Sequence, residues 1–101
     1  MLNIKIIEYK KYSIYLTNKN EGLVIVPIKD KMIWYKNTYI YHNNKKFKYQ
    51  INEIKKIDKN YQILLKFPHK SKDKFITISI EKRRINILKS IINSWGGDNN
   101  N

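Results

Sequence analysis

The strongest constraint on this chain is a change of period inside one continuous stretch, residues 75–97. In Phe75-Ile76-Thr77-Ile78-Ser79-Ile80 the isoleucines fall on every second residue, so one face is apolar and the other carries hydroxyls. That is the period of a half-buried strand. From Glu81 the period lengthens. Ile85, Leu88, Ile91, Ile92 and Trp95 recur at three- and four-residue steps, which places them on one stripe of an amphipathic helix. Glu81 then falls in the first helical turn, where the positive end of the dipole favours an anion. Gly96-Gly97 can take the left-handed conformation that closes a helix. The stretch predicts a strand running into a C-terminal helix able to cover the open end or face of a sheet.

Everything upstream reads as short strands. Leu2-Asn3-Ile4-Lys5-Ile6 and Tyr12-Ser13-Ile14-Tyr15-Leu16-Thr17 both alternate, with Lys10-Lys11 marking a tight turn or a bend within one long strand. Residues 18–22 form a turn, since Asn and Gly tolerate positive φ. Residues 23–28 are apolar on both faces, as a central strand would be, while Pro27 lacks a donor and pushes that end toward an edge. Lys29-Asp30-Lys31 makes the next turn. Met32-Ile33-Trp34-Tyr35 and Thr38-Tyr39-Ile40-Tyr41, separated by Lys36-Asn37, have the spacing of a two-residue hairpin. After a turn at His42-Asn43-Asn44, residues 46–51 place Phe47, Tyr49 and Ile51 on one face. Residues 52–58 fit either a helical turn or a kinked strand. Tyr61, Ile63, Leu65 and Phe67 line a further strand, and residues 68–73 form a charged loop. The expected fold is mainly β: one domain over residues 1–97, an antiparallel sheet of about seven strands at meander spacing, bent into a barrel and closed by one C-terminal helix. Residues 98–101 are expected to be a disordered tail.

Composition narrows the function classes. The chain of 101 residues has no cysteine, which excludes disulfides and thiolate metal sites. No apolar run approaches the roughly 20 residues needed to span a bilayer. Lys5, Glu8, Lys10 and Lys11 interrupt the opening residues, unlike the apolar region of a secretory signal. A cytoplasmic location, peripheral at the inner membrane face, is the expectation. The formal charge of +13 comes from 21 basic and 8 acidic residues, an excess that favours polyanions such as nucleic acid or an anionic membrane surface. Nineteen of the basic residues are lysine, beside 19 isoleucines, 13 asparagines and no alanine. That pattern has the look of AT-biased coding, which accounts for part of the lysine content.

Three stretches carry a resemblance to a known family. Residues 12–28 are a strand ending in Thr17, a polar turn and a second apolar strand. Tyr49-Gln50-Ile51-Asn52-Glu53-Ile54-Lys55-Lys56-Ile57 reads as a strand breaking at an acidic residue before an isoleucine. Residues 61–95 have a strand, strand, helix order with a tryptophan on the helix. Together they resemble the bacterial pleckstrin-homology-like (GRAM-like) domain family. The resemblance implies seven strands in a strongly bent barrel closed by a C-terminal helix, and a role of the kind found in membrane-associated and bacteriocin self-immunity proteins. Lipid-binding members concentrate basic residues around the first hairpin loop. Here that loop holds Lys19 with Glu21 against it, and Lys29 and Lys31 in the second turn make the better basic pair.

Catalytic chemistry is poorly supported, and a non-enzyme without cofactor is expected. The eight acids are scattered without a close pair suited to acid and base roles. His42 and His69 are isolated in predicted loops, and the three glycines make no phosphate-cradling loop. No metal site is expected. Basic clusters interleaved with aromatics are the main signal: Lys45, Lys46 and Lys48 beside Tyr39 and Tyr41; Lys70, Lys72 and Lys74 in one loop; Lys82, Arg83 and Arg84 opening the predicted helix, against its dipole. Trp95 is expected in the core, whereas Trp34 fits core or surface contact. The bland alternative is that Phe47 and Tyr49 face the core and the lysines only keep a sheet soluble. On a membrane, lysines meet anionic headgroups and aromatics sit at headgroup level. On nucleic acid they neutralise phosphates while tyrosines stack on bases. The leading expectation is a non-catalytic module docking on anionic lipid headgroups; the runner-up is a small DNA- or RNA-binding accessory protein using a basic sheet surface.

Overall fold

The computed structural model describes residues 4–86. Seven antiparallel strands form one sheet: β1 (Lys5–Asn18), β2 (Glu21–Pro27), β3 (Tyr39–His42), β4 (Lys45–Lys48), β5 (Gln50–Ile57), β6 (Asn60–Lys66) and β7 (Phe75–Asn86). A 3₁₀ turn (Ile28–Asp30) leads into a short helix, α1 (Lys31–Lys36), between β2 and β3. The sheet order is β4-β3-β7-β1-β2-β6-β5. The mainly β, single-sheet expectation holds. A plain meander does not, because β2 pairs with β6 and β3 with β7.

One residue bends the sheet. The edge strands β4 and β5 stand at opposite ends of the order, yet only Tyr49 separates them in the chain. Laid flat, seven strands at about 4.8 Å spacing would put those edges about 29 Å apart. Lys48 and Gln50 lie within about 7 Å of each other, the reach of two residues. The sheet therefore curls into a half-barrel, with Ile14, Val24, Val26, Ile40, Ile63, Leu65, Ile78 and Ile80 filling the concave side. The expectation of one strand over residues 46–51 is corrected: the chain turns a corner at Tyr49. Residues 52–57 resolve as the kinked strand, with the β5–β6 register shifting between Ile51 and Glu53, and Asp58 falls in the turn that follows.

Residues 32–35 are not a strand. Apolar residues over so short a run do not discriminate helix from strand, and here they build α1. Its helical backbone sends Trp34 into the core, 1% exposed, with its ring edge-on to Tyr12 and Tyr49 at 5.3 Å from each. Trp34 is thus a core residue, not a surface aromatic. The indole N–H has no acceptor in bonding geometry, although it lies close enough to the Tyr12 hydroxyl to oppose the upward shift of that phenol.

The largest correction concerns residues 81–86. The sequence predicts helix from Glu81, but β7 continues to Asn86 because the first half of β1 offers a partner at matching register, Ile6 opposite Ile85 and Glu8 opposite Arg83. A β-bulge between Glu8 and Tyr9 adjusts the ladder. Glu81, Lys82, Arg83 and Arg84 are therefore strand residues and not the first turn of a helix. Leu88, Ile91, Ile92, Trp95, the Gly96-Gly97 pair and the 98–101 tail lie outside the described residues. The β1–β2 turn is confined to Lys19-Asn20, braced by the Asn18 side chain accepting from the Asn20 N–H at 2.8 Å. Positive φ falls instead on Asn43, Asn44 and Asp58 in the two other hairpin turns, while Gly22 is extended. A Cβ on Gly22 would overlap Ile14 Cγ2 and come within 3.2 Å of Phe67 Cε1, so close packing accounts for this glycine.

Candidate anion-binding cleft

A buried polar knot sets the position of the corner between α1 and β3. Asp30, 5% exposed, accepts an ion pair from Lys10 and a hydrogen bond of 3.0 Å from the Tyr12 hydroxyl. Burial pushes its carboxyl up, but the Lys10 and Tyr12 hydrogen bonds and the charges of Lys10 and Lys29 outweigh it, so the net shift is downward. The Tyr12 phenol is pushed up, by burial first and then by Asp30; burial alone does the same to Tyr49. The Tyr49 hydroxyl reaches the Trp34 and Asn37 carbonyls at 2.6 and 2.9 Å, and its N–H donates to the Thr38 carbonyl at 2.9 Å. The Asn37 amide donates to the carbonyls of Ile33 and Glu81, both at 2.7 Å. That bridge ties the end of α1 to β7.

The tie builds a cleft of about 480 Å³ where the α1–β3 corner, β4 and β7 meet. Lys36, Lys46, Lys82 and Arg84 contribute four cations to its lining, and Glu81 the sole carboxylate. Arg84 is held by Glu81, with a second contact of 3.4 Å; that hydrogen bond, and then the carboxylate charge, push the guanidinium further up and keep it charged. Among the described residues, no carboxylate forms an ion pair with Lys36, Lys46 or Lys82. Asn37, Thr38, Tyr39 and Tyr41 complete the wall. The Lys46 ammonium sits 4.1 Å from the Tyr39 ring centroid, and Tyr41 packs edge-on to Tyr9 at 5.6 Å. Three ammonium groups without described ion-pair partners, with hydroxyl-bearing side chains around one concavity, suit a phosphate-sized anion.

The basic residues expected to bind anions do not form one site. Lys46, Lys82 and Arg84 converge in the cleft with Tyr39 and Tyr41. Lys45 and Lys70 line a separate groove with Phe47, Asp73 and Phe75. Lys48 stands at the β4–β5 corner beside Lys66. Lys29 is exposed in the 3₁₀ turn, and Lys31 lies away from the cleft, near the rings of Tyr61 and Tyr35 at 4.8 and 5.3 Å. Lys72 and Lys74 are exposed before β7. Arg83 is held by Glu8 through contacts of 2.6 and 3.1 Å, which lower the Glu8 carboxyl. Lys36, Asn37 and Thr38 belong to the cleft but are absent from the sequence-based set, because the Lys36-Asn37 pair reads locally as a hairpin turn. Their adjacency to Tyr39 was the available signal.

No family model, curated protein or solved structure matches this chain.

Proposed function

We propose that the protein is a non-catalytic module that docks on anionic membrane surfaces, with the cleft between α1, β3, β4 and β7 receiving a lipid phosphate. The observation that carries this reading is the convergence of Lys36, Lys46 and Lys82, without described carboxylate partners, beside Tyr39 and Tyr41. Each cation near an anionic leaflet contributes about 1 kcal/mol. The half-barrel is compatible in shape with a pleckstrin-homology-like module. Nucleic acid is the weaker reading because the tyrosines are engaged: Lys46 lies over the Tyr39 ring and Tyr9 packs on Tyr41. These contacts narrow the ring surface left for a base to stack on.

Co-sedimentation with phosphatidylcholine vesicles, with and without phosphatidylserine, tests the reading beside a mobility shift on duplex and single-stranded DNA. Salt-sensitive binding to the anionic vesicles alone is expected. A DNA shift without vesicle binding overturns it.

A further inference from the structure

From the bulge between Glu8 and Tyr9 outward, β1 and β7 run on as a two-stranded ribbon, with Tyr9 and Glu81 at its root and Lys5 to Glu8 against Arg83 to Asn86 beyond. Its side chains are unusual for a solvent-facing ribbon. Ile4, Ile6, Ile7 and Tyr9 are 44, 44, 37 and 49% exposed. Alternation puts Ile4 and Ile6 on one face and Ile7 and Tyr9 on the other, so both faces carry apolar groups. Lys5 lies within the ribbon and Lys82, Arg83 and Arg84 toward its root; Glu8 pairs with Arg83 and Glu81 with Arg84, so four cations less two carboxylates leave the ribbon with a net charge of +2. Lys82 and Arg84 also line the anion cleft, and Tyr9 touches its Tyr41 wall.

We infer that this ribbon is the element that enters the interfacial layer of an anionic bilayer while the cleft at its root holds a headgroup; the inference rests on the membrane reading above. A protein groove covers one face of a ribbon, whereas a bilayer surrounds it and shields both. A second copy of the chain is disfavoured by mutual repulsion at +13. The backbone sets the depth. Residues 5–9 of β1 pair with β7 alone, so the other edge of that segment has no ladder partner among the described residues. Unpaired backbone groups are costly in hydrocarbon. The ribbon stops at the headgroup level, where water and phosphate satisfy them and Tyr9 finds its preferred depth.

The chain has no cysteine, so Ile7→Cys in the full chain provides a single site for an environment-sensitive fluorophore, with Asp58→Cys in the β5–β6 turn as control. With vesicles containing phosphatidylserine, the probe at position 7 shifts to the blue and is quenched by lipid-borne quenchers, while the probe at 58 does neither. Ile4→Ser, Ile6→Ser and Ile7→Ser combined weaken binding to the same vesicles by about tenfold or more. Vesicle binding with a silent probe at position 7 overturns the ribbon inference and leaves the membrane reading standing. Absence of vesicle binding overturns both. A blue-shifted probe in buffer alone means that the ribbon is covered by its own chain or by a second copy, and also overturns the inference.

Discussion

Strand β1 passes through two environments without changing its pattern. From Tyr12 onward its even-numbered residues, Tyr12, Ile14 and Leu16, are buried against β2, β6 and β7; earlier, Ile4 and Ile6 on the same face are exposed. The alternation is identical on both sides of the bulge. What differs is the covering: α1, Trp34 and the curled sheet lie over one half, and the other half projects as a ribbon. Periodicity therefore specifies which face is apolar but not what meets it, and an apolar face lacking a cover among the described residues is a candidate for contact with something else.

Substitutions sharpen this contrast in order of size. Trp34→Ala removes the largest fully buried side chain and should cost about 3 to 5 kcal/mol, the range for a buried aromatic deletion, as read from urea unfolding. Asp30→Asn should cost about 2 to 3 kcal/mol, because it leaves the Lys10 ammonium facing a neutral amide in place of its buried carboxylate. Its pH signature has a definite sign. The folded carboxyl titrates below its ordinary value, so its stabilisation is complete at neutral pH and is lost as acidification passes from about pH 4 through the depressed folded pKa. Thermal melts of Asp30→Asn should accordingly converge on the native curve in acid, and parallel curves would show that the carboxylate charge contributes nothing. Gly22→Ala should cost about 1 to 3 kcal/mol by overpacking Ile14 and Phe67. Ile6→Ser, on the ribbon, should change stability by only about 0.5 kcal/mol, as exposed positions do. A loss approaching that of Trp34→Ala would place Ile6 in a core and erase the contrast.

The sequence was informative where local pattern decides structure and uninformative where a distant strand does. The alternations around Ile14, Ile63 and Ile78 marked the faces that fill the half-barrel, and the basic and aromatic residues Lys46, Lys82, Arg84, Tyr39 and Tyr41 were singled out and do meet. The expected strand count agreed with the fold over the described residues, but from a partly different set: residues 32–35 became helix, residues 46–51 split at Tyr49, and Lys5, Ile6 and residues 12–17 belong to the single strand β1. Ile85 fits a helical stripe and a strand equally well, and only pairing with Ile6, far away in the chain, decides for the strand. Lys36 escaped notice for a related reason. Its place in the cleft depends on Asn37 bridging to the Glu81 carbonyl, 44 residues away.

The most direct test measures affinity for phosphatidylserine-containing vesicles after Lys36→Gln, Lys46→Gln and Lys82→Gln are combined. At about 1 kcal/mol for each cation, binding should weaken by about a hundredfold, with the unfolding midpoint unchanged and a shallower dependence on salt. Affinity equal to that of the native chain, in a variant that still folds, would contradict the assignment of the cleft as the anion site.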